Sequence, residues 1–381
     1  MIDPLRQEIA GSASPIVVKV GTRVLTKTDG RLDYDRIADL ADQLHQLRQA
    51  NRHVVLVSSG AVGAGMSELG LTARPSDLAK LQAVAAIGQT KLIEAYDRTL
   101  RQQGHHAAQV LLTARDLSER NGYLNVRNTL LSLLDLGAIP IINENDTVAV
   151  DELMKTFGDN DRLAAMVTNL LRAPLLIILS DVAGLFDGPP GLETSKLIPT
   201  VERIDTTIAS YVQDHRTGLS KGGMASKLEA ARMCTMAGEN VILAHGREPR
   251  VLERITRGET VGTAFIAQGK SVSPWKRWIG FSAPAGGIVH IDEGACDALI
   301  SKGKSLLAIG IRDVTGDFEK GDVVALQDSS GHERARGLTN YASDQLRKIM
   351  GLRSDQIADT LGQCPYVEVI HRDNMTITHA G

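Results

Sequence analysis

Aromatic side chains are scarce in this chain, at 3% of its residues, so a core of any size has to be built from Leu, Ile, Val and Ala. Cysteine is scarcer still: Cys234, Cys296 and Cys364 are an odd number, far apart, with no Cys-x-x-Cys pair. That argues against a disulfide framework and a zinc site, and it fits a reducing cytoplasm. No apolar run reaches the roughly 18 residues of a membrane span. The first residues, Met1 to Glu8, lack the basic-then-apolar layout of a signal peptide. The net charge of −3 gives no overall attraction to nucleic acid or to anionic lipid. Two phosphate-binding spacings are also missing, the P-loop order and the dinucleotide Gly-x-Gly-x-x-Gly order.

What is present describes a globular protein. Hydrophobic content of 43% with 23% charged residues over 381 positions suits a substantial core divided between two or three domains. The first half alternates strand and helix patterns. Apolar runs at 15–20, 53–57, 107–112, 138–142, 175–179 and 240–244 read as strands buried on both faces. Between them lie amphipathic stretches, with Ile37, Leu40, Ala41, Leu44 and Leu47 on one stripe and further helices over 77–103, 116–136 and 224–237. Gly238 is a helix stop. This alternation predicts an α/β fold, an open and mainly parallel sheet with helices on both faces in three αβα layers.

The unusual polar groups follow the strands. Lys19 interrupts the first run, and Ser58-Ser59-Gly60 closes the second and leads into Gly63 and Gly65. Asn143-Glu144-Asn145-Asp146 ends the fourth run, Gly158-Asp159-Asn160-Asp161 opens a helix, and Ser180-Asp181 ends the fifth run. Thr217–Lys227 carries Lys221, Gly222, Gly223 and Lys227 into the helix that starts at Met224, a ready seat for an anion. Each has a plainer reading: a lysine snorkelling from an edge, an Asx turn, a helix cap, a basic surface loop. On a parallel sheet, however, these ends share one edge, and Lys19, Ser59, Asp146, Asn160, Asp181 and Lys227 converge there.

These motifs, Lys19-Val-Gly-Thr22, Ser59-Gly-Ala, Asn143-Glu-Asn-Asp146, Gly158-Asp-Asn-Asp161, Ser180-Asp181 and Gly222-Gly-Met-x-x-Lys227, resemble in order and interval the amino acid kinase family. The two Asn/Asp blocks are most like the members that phosphorylate the side chain of L-glutamate. The resemblance implies transfer of the γ-phosphoryl of ATP, with Mg²⁺, to that carboxylate. By the match, Lys19 and Lys227 would neutralise the phosphoryl group while Asp161 holds both lysines. Ser59, Asp146 and Asn160 would grip glutamate. Lys19, Ser180, Asp181 and the run Lys221, Gly222, Gly223, Met224, Ala225, Ser226 and Lys227 would seat ATP. No residue is assigned as a metal ligand. The family also implies a homo-oligomer (dimer or tetramer), proline as inhibitor, and glutamate-5-semialdehyde dehydrogenase as the recipient of the product. Three positions depart from the family pattern, Arg23, Ser180 and Lys221, and the last adds charge near the nucleotide. Acetylglutamate, aspartate and carbamate kinases are the alternatives within the family.

After Gly262 the texture changes. The expected layout is an N-terminal extension over 1–14, a kinase domain over 15–265, a linker over 266–285, a small β-rich module over 286–364 and a tail over 365–381. Within the module, Ile288–Ile291, Leu306–Ile311 and Val323–Leu326 read as strands, with helices near Cys296–Lys302 and Ser343–Met350. It resembles the PUA domain, found in RNA-modifying enzymes. Twelve acidic residues against nine basic ones leave it poorly equipped to neutralise phosphates, which argues against nucleic acid as its partner.

Overall fold

The computed structural model describes residues 2–11, 13–148, 160–192, 194–212, 223–268, 273–362 and 366–378. The chain divides into two compact units, residues 1–117 with 121–271, and 118–120 with 272–381.

The first unit is built on an eight-stranded sheet in the order β3-β4-β2-β1-β5-β7-β8-β6. Its strands are β1 Ile16–Val20, β2 Val54–Ser58, β3 Ala107–Leu112, β4 Ile139–Glu144, β5 Leu175–Ser180, β6 Thr200–Val201, β7 Asn240–His245 and β8 Thr263–Phe265. All neighbours run parallel except β7 and β8. The six strands read from apolar runs are the six long ones. The two short ones, β6 and β8, carry no apolar run long enough to announce them. Its longer helices are α1 Pro4–Gly11, α2 Tyr34–Gln49, α3 Ala61–Glu68, α4 Leu78–Gln102, α5 Arg120–Asp135, α6 Asn160–Leu171, α7 Met224–Ala237 and α8 Val251–Thr256. Asp33 and Asp77 cap α2 and α4 by accepting from Arg36 N–H and Lys80 N–H, and Gly238 ends α7 in the left-handed region at φ 96°. The helix expected over 116–136 is two, Ala114–Ser118 and α5.

Alternation along β1 decides which layer each side chain joins. Ile16, Val18 and Val20 enter a core with Ile37, Leu40 and Leu44 of α2, Leu92 and Tyr96 of α4, and Ile255 of α8. Lys19 points to the opposite face, which α6 and α7 cover. Strand order reverses about β1, whose neighbours are β2 on one side and β5 on the other, so the crevice beyond their carboxyl ends is where an open α/β sheet takes its ligand. Residues 1–14, set apart above as an extension, contribute α1, whose buried Arg6 donates to Val261, Pro199 and Gly262 carbonyls of this same unit.

The second unit holds a five-stranded sheet in the order β10-β9-β11-β12-β13: β9 Gly287–Ile291, β10 Ile311–Thr315, β11 Val323–Gln327, β12 Glu333–Leu338 and β13 Met375–Ile377. Its helices include α9 Glu293–Ile300 and α10 Ser343–Ile349. The strand expected over Leu306–Ile311 is not one. Leu306 makes a single bridge to Ile370, Ala308–Gly310 forms one turn, and β10 begins only at Ile311. The run serves packing rather than a ladder, since Leu306, Ala308 and Ile311 all enter the core of this unit. The stretch set apart as a tail supplies β13, which pairs with β12.

The glycines Gly60, Gly63 and Gly65 divide their duties. Gly60 turns the chain at φ 110° between β2 and α3. Gly65 instead serves a helix crossing, because a Cβ there would sit 1.9 Å from the Val84 carbonyl oxygen, while one on Gly88 of α4 would sit 1.8 Å from that of Ala61. A Cβ on Gly63 meets nothing closer than 3.6 Å. Backbone cannot step aside cheaply, so Gly88→Ala is expected to destabilise the fold by about 1–3 kcal/mol or more, and Gly63→Ala to leave it within about 1 kcal/mol. Urea unfolding of the two variants checks this, and equal midpoints would refute the crossing.

Candidate active site

At the centre of the crevice lies a carboxylate out of reach of solvent. Asp161, in the first turn of α6, is fully buried. Lys19 Nζ stands 2.5 Å from its Oδ1 and Lys227 Nζ 3.0 Å from its Oδ2. Ser226 Oγ donates to Oδ2 at 3.3 Å. Three elements therefore meet in one carboxyl group: β1 brings Lys19, the N-terminus of α6 brings Asp161, and the second turn of α7 brings Lys227. Both lysines are at least nine-tenths buried. Burial alone would raise the Asp161 carboxyl, but the two ammonium groups outweigh it and hold the group below the usual carboxylate range. Among the described residues two cations meet one anion where water is largely excluded, an excess of positive charge that favours a further anion.

Beside it, Asn160 reaches the end of β2. Its Nδ2 lies 2.9 Å from Ser59 Oγ, 3.2 Å from the Ser58 carbonyl oxygen and 2.9 Å from Asn143 Oδ1. Asn143 Nδ2 in turn donates to Gln89 Oε1 of α4 at 2.8 Å. Asp146 sits two residues beyond β4, half-buried, in the turn on this same sheet edge.

On the other side of β1, Ser180 closes β5 and its hydroxyl donates to Asp181 Oδ1 at 3.1 Å. Arg23 Nη1 pairs with Asp181 Oδ2 at 2.9 Å. Partial burial pushes the Asp181 carboxyl up, and the Arg23 guanidinium, its own backbone N–H and the Ser180 hydroxyl bring it below its ordinary value. Gly223 caps α7 and is followed by Met224, Ala225 and Ser226. Lys221 and Gly222 lie outside the described residues, as do Gly158, Asp159 and Cys364.

Of the residues singled out from sequence, the structure thus brings Lys19, Asp161 and Lys227 into contact, Ser59 and Asn160 into contact, and Ser180 and Asp181 into contact. Gln89 carries no sequence signal, being a lone amide in an amphipathic helix, and Asn143 stood in a motif without a role. Arg23, noted as a departure, turns out to be the partner of Asp181. Among the described residues no cluster of three or more His, Cys, Asp or Glu is arranged to hold a metal, and no helix is long and apolar enough to cross a membrane. In the second unit a cleft of about 460 Å³ is lined by Asp292, Glu293 and Asp328 against Arg312 and His290, a poor seat for phosphates.

Removing Asp161 strands two buried cations side by side, so Asp161→Ala is expected to cost about 3–5 kcal/mol of stability. Because the folded carboxyl titrates below the unfolded value of about 3.9, its contribution is complete above that pH and is lost as pH falls through the folded value. The gap in urea midpoint between wild type and Asp161→Asn should therefore be constant from pH 7 to 5 and shrink below about pH 4. A gap that does not change with acid would contradict the ion triplet.

Comparison with known proteins gives the family. The amino acid kinase family profile matches residues 14–245, and the PUA domain profile matches residues 287–361. Three full-length relatives are all named glutamate 5-kinase. That of Rhodopirellula baltica is 48% identical over 98% of this chain and 96% of its own. That of Caldanaerobacter subterraneus subsp. tengcongensis is 45% identical over 96% and 98%, and that of Thioalkalivibrio sulfidiphilus 45% over 98% and 99%. Among solved structures, a UMP kinase from Bacillus anthracis overlays 67% of this chain and 96% of its own, with a TM-score of 0.45 at 15% identity, too loose a match to bear on the chemistry. With the profile covering every element that contributes to the ion triplet, and the relatives matched over at least 96% of this chain, the chain belongs to the amino acid kinase family and carries a PUA domain.

Proposed function

We propose that the protein transfers the γ-phosphoryl group of MgATP to the side-chain carboxylate of L-glutamate, giving L-glutamyl 5-phosphate and opening the route to proline. One observation carries the reading: two buried lysines on opposite oxygens of one buried carboxylate, on an edge whose flanks hold an amide-hydroxyl pair and a Ser-Asp pair. The names of the full-length relatives support the choice of substrate.

The acceptor oxygen is already an anion, so no general base is called for. The barrier lies in bringing that anion to a triphosphate and bearing the charge that spreads over the transferred oxygens. Lys19 and Lys227 supply positive charge from two sides, and Asp161 keeps them from moving when that charge develops. Fixed cations need no reorganisation during transfer. On the flank toward β2 and β4, Ser59 and Asn160 hold glutamate and Asp146 receives its ammonium group. On the flank toward β5, Ser180 and Asp181 seat ATP with the start of α7: Gly223, Met224, Ala225 and Ser226, preceded by Lys221 and Gly222. The site's donor set suits a Mg²⁺ that arrives with the nucleotide, because that ion takes few protein ligands and keeps to phosphate oxygens and water.

Proline has the α-carboxylate and cationic amine of glutamate, so it enters the Ser59, Asp146 and Asn160 pocket as a competitor. The protein works in the cytoplasm as a homo-oligomer and delivers its product to glutamate-5-semialdehyde dehydrogenase.

A panel of L-glutamate, N-acetylglutamate, aspartate and carbamate with MgATP tests the substrate. Activity confined to L-glutamate is expected, and a preference for any other acid defeats the reading. Lys19→Ala and Lys227→Ala should each lower kcat by about 10²–10³. Asp146→Ala should raise the KM for glutamate far more than that for ATP. Proline should raise the apparent KM for glutamate, and inhibition that persists unchanged at saturating glutamate would place proline elsewhere.

A further inference from the structure

We infer that Gln89 is a positioning residue for the substrate flank, setting which atom of the Asn160 amide faces the ligand. The inference rests on the glutamate reading above.

Two groups set the polarity of the chain of amides together, the Glu144 N–H at one atom of the Asn143 amide and Gln89 Oε1 at the other. The Glu144 N–H donates to Asn143 Oδ1 at 2.9 Å, so turning the Asn143 amide over would set donor against donor. Asn143 therefore offers Nδ2 to Gln89 Oε1 at 2.8 Å, and its Oδ1 also accepts from Asn160 Nδ2 at 2.9 Å. Asn160 spends Nδ2 on Asn143, on Ser59 and on the Ser58 carbonyl. Its Oδ1 accepts from no group among the described residues. An acceptor left in that position selects a donor on the ligand, and the ammonium group of an α-amino acid is such a donor.

Gln89 comes from outside this set of strand ends, on α4, and lies 93% buried with 7% of its surface exposed. Its Oε1 is the anchor at the far end of the chain, while its Nε2 is buried with no partner. An orphaned buried donor is costly, yet turning the amide would only oppose Nε2 to Asn143 Nδ2. The cost is thus tied to holding Asn143 in one orientation. α4 can deliver Gln89 to this depth because the preceding residue, Gly88, touches the Ala61 carbonyl oxygen with no room for a side chain. The same crossing that packs α3 against α4 therefore places the amide.

Gln89→Met keeps the length of the side chain and removes the acceptor. Because one orphan donor is exchanged for another, the melting temperature should move by no more than about 3 °C. The KM for L-glutamate should rise about tenfold, the worth of a hydrogen bond to a charged group, with the KM for ATP within about twofold of wild type. The preference for L-glutamate over glutarate, the same diacid without the amine, should fall by about tenfold as well. Gln89→Glu keeps an acceptor oxygen and should bring the glutamate KM back to within about threefold of wild type. A Gln89→Met enzyme with wild-type KM and wild-type preference overturns the inference and leaves the glutamate reading standing. Equal losses on glutamate and glutarate, accompanied by a matching fall in melting temperature, also overturn it, since they mark a merely structural role. A wild-type enzyme inactive on L-glutamate overturns the functional reading and this inference with it.

Discussion

A carboxylate shared by two lysines in a nearly dry site is the constraint around which the first unit is arranged. Any one of the three charges would be costly to bury alone, and together they leave one net positive charge. Each comes from a different element, so the triplet forms only when β1, α6 and α7 are all in place. Its integrity therefore reports the packing of that face of the sheet. The opposite face is aliphatic packing against α2, α4 and α8; this face buries aliphatic side chains too, Val17, Val57, Ile178, Val167 and Ala231 among them, and sets the ions within them.

The flanks of the triplet differ in kind. Toward β5 they are ionic and half-exposed, with Arg23 closing on Asp181 at 65% and 39% side-chain exposure. An exposed pair of that kind contributes little to stability and exchanges partners readily, a property suited to the nucleotide proposed for this flank. Toward β2 and β4 the contacts are neutral amides and a hydroxyl, buried and directional. Such a chain has a single low-energy polarity, so it discriminates between donor and acceptor on a ligand without adding charge. The glycine contacts of α3 with α4 belong to this flank: they bring the two helices close enough for an amide on one to act at strand ends below the other.

Much of this was legible in the sequence, and the reasons are local. β1, β2, β4 and β5 are apolar runs followed by polar clusters, and at or just beyond their carboxyl ends lie residues of the site. Lys19 was conspicuous because nothing else charged stands in such a run. Gln89 was invisible, since its importance depends on a partner 54 positions away. The role of Gly65 was hidden for an equally physical reason. A glycine that admits a ligand and one that admits another helix look alike until the neighbour is seen. In the second unit, Leu306–Ile311 mimicked a strand because a short apolar run does not say whether it will pair or merely pack. β13 hid in a stretch too short and too near the end to signal a strand.

The role of the buried triplet in phosphoryl transfer is tested most directly by the turnover number of Asp161→Asn at saturating MgATP and L-glutamate, measured on protein whose far-ultraviolet circular dichroism matches wild type. The amide keeps the shape of the carboxyl but releases both lysines from their shared charge. A fall in kcat of about a hundredfold or more is expected, comparable to loss of a preorganised charge-stabilising group. Turnover within a few-fold of wild type on that folded protein would contradict the claim that a shared anion holds the two lysines for catalysis.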